Sequence, residues 1–165
     1  MRSINPEERI VTLDKAAELR EQALHDGKRF ILTNGCFDLL HRGHLTYLRE
    51  SAETGDFLCV AVNSDASVRE LKGDDRPLNP EYDRAYALAS LRCVDAVFVF
   101  PGPRLANEIT LLKPDIYTKA GDYSIDSLEP TEKAALLDSG VDIRFLSFVS
   151  GKSTTSLIER MRSDG

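Results

Sequence analysis

The sequence predicts an α/β domain: a doubly wound parallel sheet with helices on both faces. Three observations carry that reading. Short apolar runs alternate with stretches of helical periodicity along the chain, the pattern of a parallel sheet covered by helices. The 165 residues fit one domain, and a domain of this size removes roughly 70% of its unfolded surface from water. No internal repeat, low-complexity tract or linker interrupts the alternation.

Taken in order, Leu13, Ala16, Leu19 and Ala23 stand at helical spacing and the pattern stops at Gly27, so an N-terminal helix is expected at about residues 12–26, ahead of a core at about 28–163. Apolar runs at 29–33 and 57–62 flank a helical stretch at 45–54, a strand–helix–strand unit. Further strands are expected at 96–100, 115–118 and 141–145, with helices near 80–92, 103–112, 129–139 and 153–163. Residues 72–80, with Gly73, Asp74, Asp75, Pro77 and Pro80, read as a loop. In this architecture the loops at the carboxyl ends of the strands build the site.

Composition narrows the function. Cys36, Cys59 and Cys93 are odd in number, far apart and set in apolar sequence, as buried thiols of a reducing compartment are. The first ten residues are charged and proline-interrupted, and no apolar run approaches the ~20 residues that span a bilayer. A soluble, cytoplasmic protein without a membrane partner is expected. A formal charge of -6 argues against nucleic acid as a partner, because its phosphates would be repelled at long range. Phosphate binding would therefore need a local site.

The stretch 33–44, Thr-Asn-Gly-Cys-Phe-Asp-Leu-Leu-His-Arg-Gly-His, leaves the first expected strand and runs into a helix. His41 and His44 stand three residues apart at the helix start, so their rings can share a face, and Gly43 keeps the space between them clear. Backbone N–H groups at a helix start favour an anion. Two imidazoles beside such donors suit a polyphosphate and can stabilise charge building on an attacked phosphorus. A histidine pair can also be structural or part of a zinc site, but zinc wants three or four ligands. The only other histidine is His25, and no cysteine pair completes the set.

Gly35-x-Phe-Asp38 followed by His41-x-Gly-His44 resembles the signature of the cytidylyltransferase-like nucleotidylyltransferases. The resemblance narrows further along. The stretch 33–41, then Val60-Ala-Val-Asn-Ser-Asp-Ala-Ser67, Leu71-Lys-Gly-Asp-Asp-Arg-Pro-Leu-Asn79, Lys119-Ala-Gly-Asp-Tyr123 and Ser153-Thr-Thr155 are similar, in order and spacing, to the adenylyltransferase domain of the bacterial heptose-phosphate enzymes, which make ADP-heptose for lipopolysaccharide. The similarity spans about residues 10–163 and implies a Rossmann-like fold. It implies transfer of AMP from ATP to a sugar 1-phosphate, with Mg2+ held mainly by the ATP phosphates and no protein metal ligands.

Carried onto this sequence, the resemblance places His41 and His44 on the triphosphate and Thr33, Asn34, Gly35, Cys36, Phe37 and Gly43 around the nucleotide. Lys119, Gly121 and Asp122 lie along it, and Ser153, Thr154 and Thr155 hold the β and γ phosphates. Lys72 meets the acceptor's phosphate, and Asp38, Asn63 and Arg76 belong to the acceptor side. Each has a plainer reading. Lys72 suits a helix C-terminus, Ser64 or Asp65 caps a helix, Ser153 is an N-cap, and Arg76 and Arg84 are surface charges. Asp38 is an anchor for the histidine loop or a remote partner of the magnesium, and the anchor is favoured because a carboxylate near phosphates repels them.

Two departures from the family pattern stand out. Ala120 replaces a usual glycine, which matters if that position needs positive φ. Lys152 is an unusual residue at its place and is left unassigned. Gly151-Lys-Ser-Thr-Thr155 looks like the end of a P-loop, but Leu146 stands where the first glycine would be. The chain starts a helix before the first strand, so a separate sugar kinase is expected as a pathway partner. A homodimer is suggested by family analogy alone. Two rival readings stay open: a cytidylyltransferase acting on glycerol 3-phosphate or a similar alcohol, and a nucleotide-binding sensor without turnover.

Overall fold

Alternate residues along each strand serve opposite faces, and that alternation builds two cores. The computed structural model describes residues 5–147, 151 and 153–163. Its strands are β1 (Phe30–Gly35), β2 (Phe57–Asn63), β3 (Ala96–Phe100), β4 (Ile116–Ala120) and β5 (Asp142–Leu146), all parallel in the order β3-β2-β1-β4-β5. The helices are α1 (Leu13–His25), α2 (Arg42–Ala52), α3 (Asp65–Lys72), α4 (Glu81–Ala89), α5 (Ala106–Leu112), α6 (Pro130–Asp138) and α7 (Thr154–Ser163). Phe30, Leu32, Cys59, Ala61, Phe98 and Tyr117 face α1, α5 and α6. Ile31, Leu58, Val60, Val62, Val97 and Ile116 face α2 and α4. Fully burying one such Leu, Ile or Phe contributes roughly 1.5–3 kcal/mol, so the strands are fixed by what both faces exclude from water.

The expected elements are present with ends shifted by a few residues. The helix expected from residue 45 begins at Arg42, because the His41 ring caps it: Nδ1 accepts the Gly43 N–H at 3.0 Å. The fifth strand, expected at 141–145, runs over Asp142–Leu146; the segment just beyond it that reaches Phe148, and Lys152, lie outside the described residues. Of the three thiols expected to be buried, only Cys59 is; Cys36 and Cys93 are half-buried. Cys36 follows directly on β1, and Cys93 lies in the turn between α4 and β3.

Strand order positions the site. The chain passes from β1 outward to β2 and β3, then returns to place β4 on the other side of β1. This reversal is the point where an open α/β sheet parts to admit a ligand. The β1–β4 ladder runs only to Leu32 opposite Tyr117, whereas β1–β2 continues to Gly35 opposite Val62. Beyond Leu32 the two central strands diverge, and side chains bridge them instead. Thr33 Oγ1 lies 2.6 Å from the Tyr47 hydroxyl and 3.1 Å from the Thr118 carbonyl, and Tyr47 reaches Thr118 Oγ1 at 3.1 Å.

Candidate active site

A cleft opens at that divergence. It is lined by Asn34, Gly35, Cys36 and Phe37 from the end of β1, His44 and Tyr47 from α2, and Lys119, Ala120 and Tyr123 from the end of β4. Phe37 takes φ 48°, and its ring folds back so closely that a side chain on Gly35 would meet it at 2.9 Å. Gly35 thus leaves room at the end of β1 for the Phe37 ring to fold back over it. The Phe37 ring then contacts His44 edge-on at 5.3 Å between centroids.

The two histidines stack, with ring centroids 3.9 Å apart and planes 26° apart. They are held differently. His41 accepts the Gly43 N–H at Nδ1, which places its neutral proton on Nε2. His44 has a buried Nδ1 with no hydrogen-bond partner. Burial first, and then the neighbouring His41 charge, lower its pKa from 6.5 to about 4, against the opposing pull of the Leu39 carbonyl. At neutral pH His44 is thus an uncharged imidazole beside a helix start, where backbone N–H groups favour an anion.

Behind the pair lies a buried ionic scaffold. Asp38 accepts from Arg76 Nε at 2.8 Å and from the backbone N–H groups of Leu78 and Asn79 at 2.9 Å. The Asn79 amide returns a bond to the Asp38 carbonyl at 2.8 Å. Burial pushes this carboxyl up, but the Asn79 and Leu78 N–H groups and the Arg76 guanidinium outweigh it and hold its pKa below the usual range. Its side chain is 0% exposed. The expected acceptor-side role of Asp38 therefore gives way to the anchor: the carboxylate fastens the histidine loop to residues 76–79. Arg84 is buried rather than a surface charge, and binds the Cys36 carbonyl at 2.6 Å, the Asn79 carbonyl at 3.0 Å and Asp65 Oδ1 at 2.8 Å.

Two other expected contacts are spent on the fold. The Thr33 hydroxyl is sealed in the β1–β4 bridge. Asn63 is buried, and its amide donates to Ser67 Oγ at 3.2 Å and the Gly102 carbonyl at 3.3 Å, so it ties β2 to α3 and is closed to an acceptor. Ser64 caps α3 by accepting the Ser67 N–H. Cys36 borders the cleft, but burial raises its thiol pKa against the Lys72, Arg84 and Arg76 charges. It is a wall and not a nucleophile.

Helix α7 contributes two more surfaces. On one side His41 and Arg42 meet Gly151, Ser153, Ser156, Leu157 and Arg160 in a small hollow. On the other, Lys72 and Arg76 share a groove with Asp75, Thr155, Ile158, Glu159 and Arg162. Ser153 accepts the Ser156 N–H at 3.0 Å, the N-cap role. Thr154 donates to the Leu39 carbonyl at 3.0 Å, docking α7 on the histidine loop. Thr155 alone of the three faces the Lys72 groove.

At the end of β4, Lys119 lines the cleft with Nζ 3.9 Å from Glu132 and 5.1 Å from the Tyr123 ring centre. Gly121, at φ 110°, makes the turn and donates to the Leu146 carbonyl; Asp122 is exposed beside it. Ala120 closes the strand, in register with Leu146. The positive φ falls on Gly121, so the alanine is accommodated. Sequence reasoning missed Arg42, Arg160 and Glu132. Arg160 had a signal, since Ser153, Ser156, Leu157 and Arg160 follow one helical face. Glu132 had none, because it enters from α6 through tertiary packing.

The fold and site together define a nucleotidyltransferase: a parallel sheet parted at its switch point, with a histidine pair at a helix start and lysines around it. The chain belongs to the cytidylyltransferase-like family, whose family model matches residues 32–159. It is 48% identical to "Bifunctional protein HldE" of Nitratiruptor sp. over 159 residues, 96% of this chain and 33% of that protein. It is 46% identical to the protein of the same name from Pelobacter propionicus, over 93% of this chain and 31% of that one. The chain thus spans about a third of the length of these relatives. Among solved structures it resembles a lipopolysaccharide core biosynthesis protein from Thermoplasma volcanium, with TM-score 0.61 and 27% identity over 76% of this chain and all of that one. A pantoate-beta-alanine ligase from Francisella tularensis shares the fold, with TM-score 0.60 at 14% identity over 93% of this chain and 76% of that one.

Proposed function

We propose that this chain transfers AMP from ATP to D-glycero-D-manno-heptose 1-phosphate, giving ADP-heptose and pyrophosphate. The observation that carries the transfer is the stacked His41–His44 pair at the helix start beside the sheet's switch point. Support for the heptose acceptor comes from the motif resemblance over residues 10–163 and the similarity to the HldE proteins. A sugar-phosphate oxygen attacks the α-phosphorus in line. A new P–O bond forms as the bond to the bridging α–β oxygen breaks, and that electron pair leaves with pyrophosphate. No base is needed, because a phosphate monoester with second pKa ≈ 6 is already largely ionised at neutral pH. The protein's work is positioning and charge stabilisation.

In this reading His41 donates through Nε2, and neutral His44 takes on more positive character as negative charge accumulates beside it. Lys119 lies along the nucleotide. The hollow with Arg42, Ser153 and Arg160 receives the β and γ phosphates, and Lys72, Arg76 and Thr155 receive the acceptor's phosphate. Among the described residues no three His, Cys, Asp or Glu side chains converge as a metal cage, and Asp38 is sealed. Magnesium is expected to arrive on the triphosphate, where it would neutralise the leaving pyrophosphate. Among the described residues no helix is long and apolar enough to cross a membrane. A phosphorylation of the sugar at its anomeric carbon must supply the acceptor.

The test is pyrophosphate release with magnesium, crossing ATP or CTP with heptose 1-phosphate or glycerol 3-phosphate. Release only with ATP and heptose 1-phosphate is expected. Release with CTP and glycerol 3-phosphate would overturn the substrates and keep the mechanism.

A further inference from the structure

Glu132 is a buried carboxylate with one oxygen explained and one not. It is the third residue of α6 and 2% exposed. Oε1 accepts the Leu105 N–H at 2.9 Å, at the start of α5. Oε2 is buried and has no hydrogen-bond partner; it faces Lys119 Nζ at 3.9 Å. Holding up the start of α5 needs one acceptor, which a glutamine amide would supply equally well. The second oxygen and the negative charge call for another reason, because a buried charge is retained only with compensation. At 3.9 Å the Lys119 ammonium supplies it through attraction and not through a formed hydrogen bond.

We propose that Glu132 is a positioning residue that holds the Lys119 ammonium at the nucleotide cleft. Lysine carries its charge on a flexible four-carbon stem, and ordering that stem costs binding affinity when it happens on association. Glu132 at Nζ and the Tyr123 ring 5.1 Å away confine Lys119 beforehand. The carboxylate thus acts through the lysine, from a helix with no other part in the site. The inference rests on the proposed contact between Lys119 and nucleotide.

The experiment is a double-variant cycle on ATP affinity with magnesium, read by calorimetry, with Glu132→Gln, Lys119→Met and both together. Glu132→Gln keeps the acceptor for Leu105 and removes the charge. Each single variant is expected to weaken ATP about tenfold, and the pair to bind within about twofold of Lys119→Met alone, the coupling of residues that act as one. Wild-type or tighter binding by Glu132→Gln, with Lys119→Met weakened, would overturn the positioning role and leave the lysine contact standing. Unchanged binding by Lys119→Met would overturn both. Melting supplies a second readout. The midpoint should fall in Lys119→Met, where the carboxylate loses its cation, and recover in the double variant; failure to recover contradicts the pairing.

Discussion

His41 and His44 are held by different forces, and their substitutions should separate accordingly. Either alanine variant should lower turnover at least ~10²-fold, the scale of losing one oxyanion-type donor; near-wild-type rates in both would sink the site. His44 also predicts a pH effect. Its folded pKa of about 4 lies below the ordinary 6.5, so between those values the unfolded chain binds a proton that the folded chain excludes. Stability from this residue is therefore complete above about pH 6.5 and is lost as pH falls towards 4. Thermal midpoints of His44→Asn should decline less steeply over that window than wild type, and parallel curves would contradict the assignment. The pair itself was legible, because its spacing and its position after a strand are local. The anchor role of Asp38 was favoured on charge alone, but its partners were not legible, and neither were the roles of Thr33 and Asn63. Asp38 binds partners 38–41 residues distant, and Thr33 and Asn63 each add to a nearer partner one that is 85 or 39 residues away, which no local pattern encodes.

Loops and helices show the same division. Turn residues and helical spacing foretold β1, α2 and the 72–80 loop, but not that Arg84 would leave α4 to clamp both loops. Removing it takes one hydrogen bond from a half-buried Asp65 and one from each of two carbonyls, so Arg84→Met should cost about 3 kcal/mol of stability at about 1 kcal/mol for each bond; denaturant unfolding would measure it. A loss below about 1 kcal/mol would mean the clamp is slack, since even a single hydrogen bond contributes that much. At α7, Thr154→Val removes the bond to the Leu39 carbonyl. It should cost about 1 kcal/mol and raise the KM for ATP more than it lowers kcat, because the helix would sit less firmly on the histidine loop. An unchanged KM would free α7 from nucleotide binding.

Across the whole molecule, an acidic chain sets six of its 21 Lys and Arg side chains around the histidines. The formal charge is -6, yet Arg42, Lys72, Arg76, Lys119, Arg160 and Arg162 line the three hollows around the histidines. Nucleotide affinity should therefore fall with salt, while nonspecific nucleic-acid binding stays negligible. Strand order was beyond the sequence reading, since apolar runs name strands without saying which neighbours they take; the reversal at β1 and β4 is what turns a list of motifs into a cleft. Attack at the α-phosphorus of ATP can be followed by 31P NMR of the products from ATP, magnesium and heptose 1-phosphate. Equimolar pyrophosphate and a sugar-linked diphosphate are expected; ADP together with a doubly phosphorylated sugar would mean γ-phosphoryl transfer and would overturn α-phosphorus attack.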